Sequence, residues 1–301
     1  MRAHTALLIT VRAGGHHVAG FGVQDDALMI DLSLMKGIQV DPQGRTVCAQ
    51  AGVTIGELDR ETQVFGLATP MGVVSETGIA GLTLGGGMGW LRRKYGLACD
   101  NSHWGRYYHR RWCIPPAQRH GGQRSLLGDP GRWRQLWNCH RLYLPVTPVG
   151  PIVMSATTMC ALADARQVLS GWREFMQEAP EEVTSTAFFW GIPPTPPIPE
   201  ELWGQTIVGV GALYAGDAEE GERITTPCAL AKPILDLSGK MPYTMVQKSL
   251  ILLPHAGHLY YNKSTDLTSP DDEVLDALIR VVSRTSQPHP PSSCFGSMEV
   301  R

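Results

Sequence analysis

The sequence predicts an α+β chain in two parts, a glycine-rich first half and a sheet with helices in the second, meeting near residue 148. Three observations carry that expectation. Short β-branched runs alternate with glycine-rich or polar turns early in the chain, one clean helical face stands past its middle, and two long β-branched and aromatic runs follow that face.

Taken in order, LLITV (7–11), ALMID (27–31) and TVCAQ (46–50) read as strands. Thr54-Ile-Gly-Glu57 has the spacing of a capping box, so a helix opens there, and Gly66 stands where its C-terminal cap belongs. Ala165, Val168, Leu169, Trp172 and Met176 fall on one face of a second helix. VTSTAFFW (183–190) and TIVGVGALY (206–214) read as strands joined by the proline-rich loop IPPTPPIP. Ser269-Pro270 opens a last helix, with Asp271, Asp272 and Glu273 placed to oppose its dipole.

Composition narrows the function classes. The 301 residues are 43% hydrophobic, enough for a real core in one large domain or two ordinary ones. With 26 Lys+Arg against 28 Asp+Glu the net charge is −2, so the chain as a whole is not a polyanion binder. No apolar run approaches the ~20 residues of a membrane span, and the apolar stretch near the N-terminus is too short for a signal-peptide core. The seven cysteines (48, 99, 113, 139, 160, 228 and 294) include no CxxC pair, which predicts a reducing, cytoplasmic setting without a disulfide framework.

Two glycine loops carry the chemistry: Val11-Arg-Ala-Gly-Gly-His-His-Val-Ala-Gly20, directly after a strand, and Gly78-Ile-Ala-Gly-Leu-Thr-Leu-Gly-Gly-Gly-Met-Gly89. Adjacent glycines let backbone N–H groups converge on an anion, which suits a pyrophosphate. Alone, either loop is weak evidence, since a glycine cluster is more often a tight turn or a close strand crossing. No Lys-Ser/Thr follows the second, which excludes a P-loop, and its spacing differs from the Rossmann fingerprint.

In this order and with these flanks, AGGHHVAG followed by VSETGIAGLTLGGGMGWLRRKYGLACDN closely resembles the FAD-binding domain of the vanillyl-alcohol oxidase superfamily, in its berberine-bridge-enzyme-like branch of FAD-linked oxidases. The resemblance runs from about residue 5 to 101 and resumes from about 148 to 292, where MPYTMVQKSL (241–250) and YYNKS (260–264) look like the family's substrate domain. It implies a PCMH-type two-part FAD-binding domain over 1–147 and an antiparallel-sheet substrate domain with flanking helices over 148–301, each expected to be incomplete at the chain's ends.

Residue by residue, the resemblance implies that Arg12, Ala13, Gly14, Gly15, His16 and His17 form the turn under the flavin and pyrophosphate. His16 matches the histidine bonded to the flavin 8α-methyl, a role that suits the neutral nitrogen of an imidazole, while His17 is better read as structural. Val74, Thr77, Gly78, Gly81, Leu84, Gly85, Gly86, Gly87, Gly89 and Gly96 would line the cofactor. Many relatives carry a second flavin link through the cysteine of a G-V-C segment; here it is Gly72-Val73-Val74, so His16 would be the single link. The family's chemistry implies a small-molecule alcohol or activated C–H substrate, hydride transfer to flavin N5 and molecular oxygen as acceptor. The catalytic base is not identified; Tyr243, Tyr260, Tyr261 and Lys263 are weak candidates, each better read as a sheet or surface residue. Oligomeric state is unreadable.

Residues 102–145 break the pattern, with eight Arg, no Lys and one acid, Asp129, a formal +7 that leaves the remainder at −9. The stretch holds four of the eight Trp and four of the ten His and shows no periodicity. Arginine among aromatics could bind nucleic acid. His103, His109, Cys113, His120, Cys139 and His140 fit no zinc spacing, so no metal is expected. The favoured reading is a shifted frame. Codons permitted for 102–114 reread one base later as LIGADIITADGAF, and those for 128–145 as AIRGGGGNFGIVTAFTFP, both like the family's missing segment. Residues 292–301 likewise reread as FVLWFHGGA. On this reading the segment should loop out rather than pack, because burying unpaired arginine is costly, and the chain could be a non-catalytic product of a disrupted gene.

Overall fold

The computed structural model describes residues 7–102, 104–109, 137–194, 199–225, 232–249, 270–285 and 296–299. The chain forms two compact units, Met1–Pro151 with Pro242–Asn262, and Ile152–Met241 with Lys263–Arg301.

In the first unit β1 (Leu8–Arg12) pairs in parallel with β2 (Ala27–Asp31), both foreseen from sequence. The strand β3 (Ile38–Asp41), which was not foreseen, pairs with β4 (Thr46–Gln50). A capping box opens α1 (Ile55–Gln63) as expected: the Glu57 amide donates to Thr54 Oγ1, and the Thr54 amide donates to the Glu57 carboxylate at 2.8 Å. Gly66 closes the helix with φ +63°, and its amide donates to Gln63 O. Beyond β5 (Leu67–Ala68) come the short helices α2 (Ile79–Leu84) and α3 (Arg92–Tyr95).

The expectation that 102–145 loops out is corrected at both ends of that segment. Trp104–His109 forms β6 and Trp137–Pro145 forms β7, completing an antiparallel sheet in the order β3-β4-β7-β6. Leu142 and Leu144 are 1% and 0% exposed, in one core with Val47, Ala49, Ile55, Leu58 and Ile79. The physical reason is alternation. In Arg141-Leu-Tyr-Leu-Pro145 the apolar pair points one way and the half-buried arginine and tyrosine the other, a period-2 pattern hidden by the basic composition around it. Residues 103 and 110–136, with His103, Cys113 and His120, lie outside the described residues, as do the side chains of His109, Cys139 and His140. After β8 (Thr147–Pro148), which pairs with β5, the chain leaves this unit and comes back as a return segment beginning at Pro242.

The second unit is a mainly antiparallel sheet: β9 (Ile152–Ala161), β10 (Val183–Gly191), β11 (Thr206–Tyr214), β12 (Leu235–Asp236), β13 (Gly239–Pro242) and β14 (Gly296–Glu299), with central order β9-β11-β10. The helix α4 (Ala165–Glu178) covers one face, burying Ala165, Val168, Leu169, Trp172 and Met176 as the sequence predicts. Its anchor is polar as well as apolar: Trp172 Nε1 donates to Ser185 Oγ at 3.0 Å, and that hydroxyl donates to Gly211 O. After α5 (Ala218–Thr225), the last helix α6 (Asp272–Thr285) lies beside α4, where Arg166 and Arg173 both reach Asp272. Its first turn is capped by Asp271, which accepts from the Val274 amide at 2.9 Å. Ser269, the expected cap, lies outside the described residues.

Candidate active site

The first unit brings the two glycine loops into backbone contact. A Cβ built on Gly78 would lie 2.6 Å from Gly14 N, and one built on Gly14 would lie 2.6 Å from Gly78 Cα. No residue with a side chain fits at either place without moving a main chain. Around this crossing, Gly15 has φ +73°, and among the described residues the amides of Gly14, Gly15 and His16 donate to no backbone carbonyl. Three successive N–H groups without a backbone acceptor among the described residues form a donor set that suits an anion.

Thr77 links the loops at the side-chain level, its Oγ1 lying 3.5 Å from His16 Nδ1. His16 is exposed beside it. The neighbouring His17 turns instead to its own loop: Nδ1 accepts from the Ala19 amide at 3.1 Å, and its ring packs 4.7 Å from that of Phe21. Arg12 pairs with Asp31 at 3.0 Å across β1 and β2, and Ala13 packs on the core. The Asp31 carboxyl is held below the ordinary aspartate range, chiefly by hydrogen bonds from Ser33 and then by Arg12.

The second loop divides by surroundings. Gly81, on the exposed side of α2, and Gly86, with φ +119°, are open: a Cβ added at either would meet nothing within 4 Å, so both leave room for a ligand. Gly85 closes α2, and Leu84 packs on the core. Gly87 (φ +80°) and Gly86 are pinned by the amides of Ala98 and Cys99, at 2.9 and 2.8 Å. Gly89 lies against Met71 and Gly72 main chain, a close approach that excludes any side chain. Gly96 (φ +79°) ends α3 beside Asp100, and Val74 is half-buried in the turn that accepts from the Thr77 amide.

Among the candidate bases, Tyr243 is neither a sheet nor a surface residue, which corrects its alternative reading. It is 1% exposed in the helix Tyr243–Val246 of the return segment, where Pro242 ends β13 and opens the helix. Burial is the main cause that drives its phenol well above the usual tyrosine value. Tyr260, Tyr261 and Lys263 lie outside the described residues. The sequence reading missed Asp59, Gln247 and Ser75, which are linked through Gln247 at the Gly72–Gly78 turn. One signal was available: Asp59 falls at a helical spacing with Ile55, Leu58 and Thr62, on the face of α1 that is buried.

The family described as FAD binding domain matches residues 2–108. Over 92 residues the chain is 50% identical to an FAD-linked oxidoreductase of Dictyostelium discoideum, a match spanning 30% of this chain and 20% of that protein. Over 95 residues it is 43% identical to (R)-6-hydroxynicotine oxidase of Paenarthrobacter nicotinovorans, spanning 32% and 21%. Over about a third of its length, then, the chain is similar to the FAD-binding domain of FAD-linked oxidoreductases. The same stretch is 37% and 41% identical, over 99 and 98 residues, to two berberine bridge enzyme-like proteins of Arabidopsis thaliana, spanning 18% of each. The fold agrees: the 6-hydroxy-D-nicotine oxidase structure from Arthrobacter nicotinovorans superposes with a TM-score of 0.72 at 22% identity, covering 83% of this chain and 54% of that one. These matches span about a fifth of the curated FAD-linked oxidases and about half of the solved structure. Among the described residues no helix is long and apolar enough to cross a membrane.

The loops fit the family's cofactor on their own geometry. Free amides at Gly14–His16 suit a diphosphate, and the open sides of Gly81 and Gly86 leave space along it.

Proposed function

We propose that this chain is an FAD-dependent oxidoreductase that oxidises an alcohol or an activated C–H bond of a small molecule and uses molecular oxygen as electron acceptor. The observation that carries the reading is the contact of Gly14 with Gly78, which makes one cradle from two loops inside the segment matching the FAD-binding family. When bound, the flavin would supply two-electron oxidation of the substrate with oxygen as the acceptor.

The chain's own residues supply position. Gly14, Gly15 and His16 would offer backbone N–H groups to the diphosphate, and Gly81 and Gly86 keep side chains out of its path. His16 would be the residue that holds the flavin covalently, with Thr77 Oγ1 placed 3.5 Å from its Nδ1 to orient the ring. Val74 offers no thiol, so the flavin carries one link. Tyr261 and Lys263 are the candidate proton acceptors; the raised pKa of Tyr243 keeps its phenol protonated and unsuited to the task. A reducing, cytoplasmic setting accords with free thiols at Cys48, Cys99 and Cys160.

The test is flavin fluorescence in the denatured protein band after expression with ample FAD. A fluorescent band that His16→Ala abolishes is the expected result; a dark band from folded wild-type protein overturns the covalent reading. One observation favours a second reading, that of a non-catalytic product of a disrupted gene: the +7 charge over 102–145, where the permitted codons allow family-like strings in a shifted frame. Sequencing the coding DNA across that segment decides it, because codons that cannot yield the shifted strings exclude the frame-shift. Nucleic-acid binding by 102–145 would then be tested by salt-dependent retention.

A further inference from the structure

Beneath the Gly72–Gly78 turn lies a buried polar pair that the flavin reading does not use. Asp59 on α1 and Gln247 on the return segment are each 1% exposed. Gln247 Nε2 donates to Asp59 Oδ2 at 3.1 Å and to Gly72 O at 3.2 Å, so both amide protons are committed. Turning the amide over would set its oxygen against two acceptors, so this orientation is the one that satisfies Gly72 O. Two acceptors remain: Asp59 Oδ1 and Gln247 Oε1 are buried, and neither has a hydrogen-bond donor.

An ionised carboxylate held by one neutral donor in a desolvated site is unfavourable, and so is an orphaned amide oxygen. A single proton resolves both. We propose that Asp59 is a neutral carboxylic acid in the folded chain, and that its Oδ1–H donates to Gln247 Oε1 while Gln247 Nε2 donates to Oδ2. The resulting acid–amide pair is a proton-held latch that fastens the return segment under the Gly72–Gly78 turn.

The surroundings support it. Ser75 Oγ donates to Gln247 O at 2.8 Å, so the turn and the return segment clasp each other twice. The titratable group facing Asp59 from the return helix is the Tyr243 phenol, uncharged at neutral pH; on its own helix Arg60 and Glu61 pair with each other at the surface. No cation among the described residues is bonded to the carboxyl. Burial pushes the Asp59 pKa up to about 7, with the Gln247 hydrogen bond offsetting only part of that rise. The folded value stands above the ordinary one, so the latch's stabilisation is fully present below the ordinary aspartate range. It is lost as pH rises through about 7. The same turn carries Thr77 toward His16, but the latch does not depend on a bound flavin.

Asp59→Asn tests this in the full chain, because an amide can make both hydrogen bonds to Gln247 at every pH. Thermal midpoints and protease susceptibility of residues 242–249 would be followed from about pH 5 to about pH 8. The wild-type chain should loosen toward alkaline pH, with cleavage rising several-fold, while Asp59→Asn matches it in acid and exceeds it in alkali. Equal pH slopes, or a variant weaker than wild type at the alkaline end, would overturn the proposal. Should the variant not fold, carboxyl-carbon NMR of aspartate-labelled wild type decides: one carboxyl titrating near neutrality is expected, and none above the ordinary range refutes it.

Discussion

The imidazole Nδ1 of His16 lies 3.5 Å from the hydroxyl oxygen of Thr77, joining loops 61 positions apart. If that hydroxyl orients the ring, Thr77→Val should retain FAD through desalting yet show several-fold less fluorescence in the denatured band at equal incubation times. Thermal stability should be unchanged, because both residues are outside the core. Undiminished fluorescence would leave Thr77 without an orienting role.

Gly14 and Gly81 separate folding from binding. Gly14→Ala drives a methyl group into Gly78 main chain and should destabilise the unit by about 1–3 kcal/mol, the usual range for overpacking. Gly81→Ala meets nothing within 4 Å and sits in a helix, where alanine gains up to ~1 kcal/mol over glycine. Its melting temperature should hold or rise while FAD retention falls. Melting curves and bound-flavin absorbance together read both effects.

The start of α1 should respond to acid. Burial works against the Glu57 charge, but the bonds from Lys36 and Thr54 overcome it and hold the pKa below the ordinary glutamate value. With a depressed folded pKa, this stabilisation is present above the ordinary range and lost as pH falls through the folded value. Thr54→Ala should cost about 1 kcal/mol near neutrality, as N-cap removals do. The difference from wild type should shrink at acid pH, as followed by denaturant unfolding.

Packing of β7 makes a quantitative claim. Leu144→Ala should cost about 2–5 kcal/mol, the range for a buried leucine, whereas Leu34→Ala, at a side chain 93% exposed, should fall within about 0.5 kcal/mol of wild type. A Leu144 variant as stable as Leu34→Ala would mean that the strand does not contribute to the core.

Local signals were legible in the sequence and long-range ones were not. The Thr54–Glu57 box and the buried face of α4 each occupy a few neighbouring residues whose spacing states the geometry. The glycine loops were legible as motifs, but the contact of Gly14 with Gly78 comes only from the fold. Gln247 reaches Asp59 across 188 positions, and nothing local to MPYTMVQKSL marks it as a strap on the first unit. β7 was hidden for another reason: the charge and tryptophan content of its surroundings masked the alternation in Arg141–Pro145.

That strand has a consequence for how much of a sequence a sheet inspects. Main-chain hydrogen bonds between β4 and β7 run from Thr46 opposite Pro145 to Gln50 opposite Arg141, and they are blind to the side chains they join. Only the inward parity, Leu142 and Leu144, is audited by close packing; Arg141, Tyr143 and Pro145 meet a far looser standard. A strand from an otherwise unpromising passage can therefore join the sheet as long as its inward positions, Leu142 and Leu144, fit the core.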